Sequence, residues 1–83
     1  MNHERIEAEA RIIAEKLNDL NGLGFHCKAI YLLGPQTCYE LSSHTLDMER
    51  RGKLKKSPAA YYNGCVMQEI QKRGLRWNTK RYE

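Results

Sequence analysis

An apolar stripe at helical spacing runs through the first twenty residues and constrains the fold more than any other feature of the sequence. Its members are separated by four, three, four and three positions, so they share one face of a helix. They are Ile6, Ala10, Ile13, Leu17 and Leu20. Asn2 is placed to cap the start of this helix, and Asn21-Gly22-Leu23 to end it. The chain therefore begins with an amphipathic helix.

The pattern changes after Gly24 to one that is typical of strands. Residues 25–33 are rich in aromatic and aliphatic side chains over the length of one strand, residues 34–37 have turn chemistry, and residues 37–42 predict a returning strand. The residues predicted to share the inner face are Phe25, Cys27, Ala29, Tyr31 and Leu33. Those predicted to lie near the surface are His26, Lys28, Ile30, Leu32, Cys38 and Glu40. The sequence therefore predicts a β-hairpin.

A second helix is predicted to start at Ser57-Pro58, with Ser57 as the N-cap, and to end at Gly74. Residues 43–56 fit either a third strand or a short helix. We therefore expect a single domain over residues 1–83 with an α+β fold. Its order is helix, β-hairpin, basic loop (residues 50–56), helix and C-terminal strand or arm (residues 75–83). Both helices would pack on one face of a small antiparallel sheet.

Composition indicates a cytoplasmic protein. No apolar run approaches the roughly 20 residues of a membrane span, and early glutamates exclude a secretory signal peptide. The three cysteines, Cys27, Cys38 and Cys65, are odd in number and scattered. This pattern predicts reduced thiols that are buried or half-buried.

The sequence predicts neither a metal site nor an enzyme. Zinc ligands come in close pairs, whereas His26 and Cys27 are adjacent and would point to opposite faces of a strand. A nucleophilic pair of Cys65 with His26 or His44 is accompanied by no glycine-rich loop, nucleophile elbow or paired carboxylate. We therefore expect no catalytic residues, no metal and no cofactor.

Charge is distributed unevenly along the chain, whose net charge is +4. Residues 50–83 hold ten Lys/Arg and two Asp/Glu, which gives +8, while residues 1–24 and 25–49 carry −2 each. Cations interleaved with aromatic residues suit phosphate contacts and base stacking. The candidate binding residues are Arg50, Arg51, Lys53, Lys55, Lys56, Lys72, Arg73, Arg76, Trp77, Lys80, Arg81 and Tyr82.

The favoured function is therefore that of a small non-enzymatic protein that binds nucleic acid through its basic C-terminal surface. The alternative is a regulator or inhibitor, of the kind that phages and mobile elements encode. Such a protein would dock on an acidic surface of a larger nucleic-acid-handling complex and block or recruit it. A homodimer formed through the hairpin edge is compatible with either function.

Gly52-x-x-Lys55-Lys56, placed between predicted strands and a final helix, resembles the double-stranded RNA-binding domain. In that family a glycine-rich loop and a lysine pair at the last helix grip phosphates, so the resemblance implies a phosphate-binding role for Lys55 and Lys56. The sequence departs from the family pattern at Leu54, Pro58 and Ala59, where serine, alanine and lysine are expected, and lacks a clear third strand.

Overall fold

The computed structural model describes residues 2–77, which form four α-helices. Their bounds are α1 His3–Lys16, α2 Leu23–Leu33, α3 Pro35–Arg50 and α4 Pro58–Lys72. A 3₁₀ turn, Leu20–Gly22, joins α1 to α2. No strand occurs within residues 2–77, so the predicted α+β fold is wrong and the fold over this range is all-helical.

The predicted β-hairpin is replaced by two helices. The buried residues of α2 are His26, Cys27, Ala29, Ile30 and Leu33, which follow helical spacing rather than alternation. A short run that is apolar on most sides does not by itself distinguish a strand from a buried helix. His26, Ile30 and Cys38, which were predicted near the surface, have no exposed area. Residues 25–42 form no hairpin edge of the kind proposed for a homodimer, and residues 2–77 contain none of the strands on which the family resemblance depends.

The third helix buries small and hydroxyl-bearing side chains. Its buried residues are Cys38, Ser42 and Thr45, at spacings of four and three. The Ser42 hydroxyl donates to the Tyr39 carbonyl and the Thr45 hydroxyl to the Leu41 carbonyl, both at 2.9 Å. Because backbone carbonyls one turn earlier satisfy these hydroxyls, α3 can turn a polar face to the core.

The predicted starts of the first and last helices are confirmed. Asn2 Oδ1 accepts a hydrogen bond from the Arg5 amide at 2.8 Å, and Ser57 Oγ accepts one from the Ala60 amide at 3.2 Å. Pro58 is the first residue of α4. The end predicted for the first helix is wrong, because α1 stops at Lys16 and Leu20 is 52% exposed.

The core is built from all four helices. Helices α2 and α3 each pack against the other three, whereas α1 and α4 share no close backbone contact. The largest apolar side chains at its centre, all without exposed area, are Tyr62, Ile13, Ile30 and Val66. Cys27 and Cys38 are buried and Cys65 is half-buried, as predicted for free thiols.

A single residue joins α2 to α3. Gly34 has φ 86° and ψ 155°, a backbone conformation that is open essentially only to glycine. Pro35 follows at the first position of α3, where its missing amide hydrogen costs nothing. These two residues therefore fix the angle at which α3 leaves α2.

Candidate functional site

The predicted basic residues that the structure describes lie at the two ends of α4. Arg73, just after α4, reaches the Leu33 carbonyl and the Thr37 hydroxyl beside the start of α3. Helices α3 and α4 are therefore antiparallel, and the loop that joins them lies at the other end. Since α4 has 15 residues and rises about 1.5 Å per residue, the two ends are about 22 Å apart.

One end carries a cluster of lysines, which we term the loop cluster: Lys53, Lys55 and Lys56. All three are exposed, and none forms an ion pair with a side chain in the described part of the chain. Arg50 and Arg51 differ, because they contact Asp47 at 3.1 and 3.3 Å. The hydrogen bond from Arg50 lowers the pKa of the Asp47 carboxyl, and the charge of Arg51 adds to the effect. The free positive charge at this end is therefore mainly that of the lysines.

The other end carries Lys72 and Arg76, which we term the terminal cluster. Both are exposed and form no ion pair within residues 2–77. Arg73 lies between them, but its guanidinium donates to Glu69 at 2.8 Å, to Thr37 Oγ1 at 2.9 Å and to the Leu33 carbonyl at 3.4 Å. Arg73 therefore holds α4 against the α2–α3 junction.

Trp77 packs against α2. Its ring centroid lies 4.7 Å from that of Phe25, and the Lys28 ammonium lies 5.3 Å from the Trp77 centroid. Lys28, which was not among the predicted binding residues, thus adds a cation beside the terminal cluster. Lys80, Arg81 and Tyr82 lie outside the described residues.

The same backbone motif ends both α3 and α4, next to the two clusters. After α3, the Gly52 amide donates to Glu49 and the Lys53 amide to Met48; after α4, the equivalent bonds run from Gly74 to Gln71 and from Leu75 to Ile70. Both glycines have positive φ, 69° and 70°. This pair of bonds is the Schellman motif, which stops a helix and fixes the direction of the chain beyond it.

Between the clusters, the outward side of α4 is exposed and uncharged. It carries Ala60, Gly64, Gln68 and Gln71, which recur at helical spacing. From Ser57 to Gln71 the one charged residue is Glu69, which is half-buried and paired with Arg73. The sequence places Gly64 near the outer face of the predicted helix, and in the structure it is exposed. The rest of this face was not predicted, although the lack of charge over these residues is visible in the sequence.

A buried polar group lies in the core. His26 Nε2 lies 3.0 Å from Asp19 Oδ2, and the His26 and Tyr62 ring centroids are 5.6 Å apart. Burial lowers the pKa of His26, although Asp19 acts in the opposite direction. The strand prediction placed His26 at the surface, so nothing in the sequence pattern indicated this contact.

The chemistry of the thiols does not resemble that of an activated nucleophile. Burial raises the pKa of the Cys38 thiol to about 11 and also raises that of Cys65. A thiol is nucleophilic as the thiolate, so both side chains are weak nucleophiles at neutral pH. Within residues 2–77, no group of three or more His, Cys, Asp or Glu side chains is arranged to hold a metal ion.

Over the described range, no helix combines the length and the apolar character needed to cross a bilayer. No protein-family model matches the chain, and comparisons with curated proteins and with solved structures also find no match.

Proposed function

We propose that this chain is a small, non-enzymatic cytoplasmic protein that binds nucleic acid through the loop and terminal clusters at the ends of α4. The observation that carries the proposal is that both clusters are exposed and lack an ion-pair partner among residues 2–77. Unpaired lysines and arginines at a surface are the groups that neutralise backbone phosphates and release counterions.

The distribution of acidic residues supports one orientation for such binding. The exposed acids Glu4, Glu7 and Glu15 are on α1, and Glu40 and Glu49 are on α3. Residues 1–49 hold four Lys/Arg and eight Asp/Glu, a net −4, whereas residues 50–83 carry +8. A polyanion is therefore attracted to the α4 side of the molecule and repelled by α1.

Affinity for nucleic acid and its salt dependence test the proposal. Fluorescence anisotropy with duplex DNA, duplex RNA and single strands, each at two salt concentrations, measures both quantities. We expect binding that weakens steeply with salt, with a log–log slope of several units that counts the phosphates contacted. Binding weaker than about 10⁻⁴ M to every nucleic acid, which is the non-specific limit, contradicts the proposal.

The second candidate is a regulator that docks on an acidic protein surface. The observation that favours it is the exposure of Met67 (40%) on α4 and of Leu75 (38%) just beyond it, next to Arg76, because methionine and arginine are enriched in protein interfaces. A nuclease treatment that leaves partner capture from lysate unchanged, together with a shallow salt slope, favours this candidate.

A further inference from the structure

The arrangement of charge along α4 indicates which class of nucleic acid this surface would bind. The loop cluster (Lys53, Lys55, Lys56) lies before the helix, and the terminal cluster (Lys72, Arg76) lies at its last residue and just beyond it. The exposed side between them has no charged residue other than the paired Glu69. The surface therefore has an uncharged helix face between two groups of cations that can bind phosphates. This inference rests on the proposed nucleic-acid function.

The dimensions fit one kind of groove. An α-helix with its side chains is about 10–12 Å across, and the major groove of B-form DNA is about 12 Å wide. The clusters are about 22 Å apart along the helix axis, so an α4 that is tilted relative to the groove brings one cluster toward each of the two phosphate backbones.

Glycine at the centre of this face is not required by packing within the chain. A Cβ atom at Gly64 would meet nothing within 4 Å. Glycine inside a helix is about 1 kcal/mol less favourable than alanine, so Gly64 weakens α4 without an internal benefit. The missing side chain instead lets an external surface approach the helix backbone closely.

We propose that α4 lies in the major groove of duplex DNA, with the loop cluster on the phosphates of one strand and the terminal cluster on those of the other. Gln68 and Gln71 are three positions apart on the outward side and are exposed. A glutamine amide offers a donor and an acceptor, the pair that matches N7 and N6 of adenine in the major groove. These two residues are therefore placed to read base edges.

Two other occupants fit the same face less well. The major groove of A-form RNA is deep and narrow, so a helix does not enter it. A second copy of this chain would bring cations against cations at both ends, whether the two α4 helices ran parallel or antiparallel. Charge complementarity therefore favours a polyanion with a wide groove, which is B-form DNA.

The test compares duplex DNA with duplex RNA of the same sequence, using the full chain and fluorescence anisotropy. We expect DNA to bind at least about tenfold more tightly, a difference of about 1.4 kcal/mol. Methyl green, which occupies the major groove, should displace the protein, whereas netropsin, which occupies the minor groove, should not.

A matched pair of variants locates the contact on α4. Gly64→Leu adds bulk at the centre of the face, and Ser43→Leu makes a comparable change at an exposed position of α3. We expect Gly64→Leu to weaken DNA binding about tenfold or more without lowering the melting temperature, and Ser43→Leu to bind as the original chain does.

The outcomes separate this inference from the function on which it rests. If DNA and RNA bind equally, or if Gly64→Leu binds DNA normally, the groove inference is wrong while nucleic-acid binding stands. If no nucleic acid binds, the proposed function fails and the inference fails with it.

Discussion

The carboxylate of Asp19 lies 3.0 Å from Nε2 of His26, whose side chain has no exposed surface. Asp19 begins the 3₁₀ turn between α1 and α2, so this contact ties the turn to the core. Within residues 2–77, the second ring nitrogen of His26, Nδ1, has no hydrogen-bond partner. Among these residues, Asp19 is therefore the group placed to balance the charge that protonation of the ring adds.

Stability should decrease as the pH is lowered through the region in which histidine titrates. Burial lowers the pKa of His26 below its ordinary value of 6.5, so the unfolded chain binds the proton more tightly than the folded chain. The free energy of unfolding should therefore fall below about pH 6.5, by at most about 1.4 kcal/mol per pH unit. Urea unfolding at several pH values between about 5.5 and 7.5 measures this slope.

Two histidine variants test whether His26 causes the slope of the free energy of unfolding with pH. His26→Gln should remove most of it, whereas His3→Gln, at an exposed position, should retain it. A slope that persists in His26→Gln contradicts the assignment.

Two neighbouring glycines should respond in opposite directions to alanine substitution. A Cβ at Gly22 would collide with the Asp19 carboxylate, which the His26 contact holds in place, whereas a Cβ at Gly24 would meet nothing within 4 Å. Gly22→Ala should therefore destabilise the protein by about 1 kcal/mol or more, since the carboxylate must move away from His26. Gly24→Ala, within α2, should be neutral or stabilise by up to about 1 kcal/mol. Urea unfolding of both variants at neutral pH checks the contrast, and equal effects contradict the account.

The elements that could be predicted from the sequence were those with an independent signal at their ends. α1 and α4 each combine an apolar stripe with an N-cap at Asn2 or Ser57, and both were located correctly at their starts. No such signal marks α2. It follows the 3₁₀ turn directly, its N-cap position, Gly22, makes no side-chain hydrogen bond, and its apolar residues extend around most of the helix.

The third helix was missed for a different reason. Its core face is Cys38, Ser42 and Thr45, whose hydroxyls bond within the helix, so an apolar pattern cannot reveal it. The basic clusters were visible as charge. Their separation by the length of α4 could also be predicted, because Ser57-Pro58 and Gly74 mark the ends of that helix. The contacts of Arg73 with the Leu33 carbonyl and Thr37 required the correct fold.

Substitution of two adjacent cations at the end of α4, Lys72 and Arg73, should distinguish a residue that stabilises the fold from one that binds a partner. Arg73 bonds to Glu69, Thr37 and the Leu33 carbonyl, while Lys72 forms no ion pair within residues 2–77. Arg73→Ala should therefore lower the free energy of unfolding by about 1–3 kcal/mol, and Lys72→Ala should change it by less than about 0.5 kcal/mol. Thermal and urea unfolding test the contrast.

The same two substitutions should rank in the opposite order by their effect on nucleic-acid affinity. Lys72→Ala should weaken nucleic-acid affinity and reduce the salt slope by about one unit, because one phosphate contact is lost. An unchanged salt slope would contradict a phosphate contact by Lys72.

Charge reversal in the loop cluster should affect binding but not folding. Replacement of Lys53, Lys55 and Lys56 by Glu leaves the core untouched, because these side chains are exposed and lie between α3 and α4. Affinity for nucleic acid should fall by tens-fold or more, since three contacts are lost and three repulsions are added. Fluorescence anisotropy measures the affinity, and circular dichroism should show the original helical signal.

Reversal of one charge on another helix is a control for the effect of net charge on binding. Arg11→Glu, at an exposed position of α1, changes the charge by the same amount as Lys55→Glu. We expect Lys55→Glu to bind several-fold more weakly than Arg11→Glu, and equal losses indicate that only the total charge matters.

The connection at Gly34-Pro35 also affects domain swapping, in which two copies of this chain would exchange helices. If residue 34 became helical, α2 and α3 would fuse into one rod from Leu23 to Arg50, and α4 could then pack only on another molecule. Proline opposes that rod, because its ring clashes with the carbonyl four residues earlier and disfavours a helical residue before it. The connection that sets the angle between α2 and α3 is thus also a barrier to domain swapping.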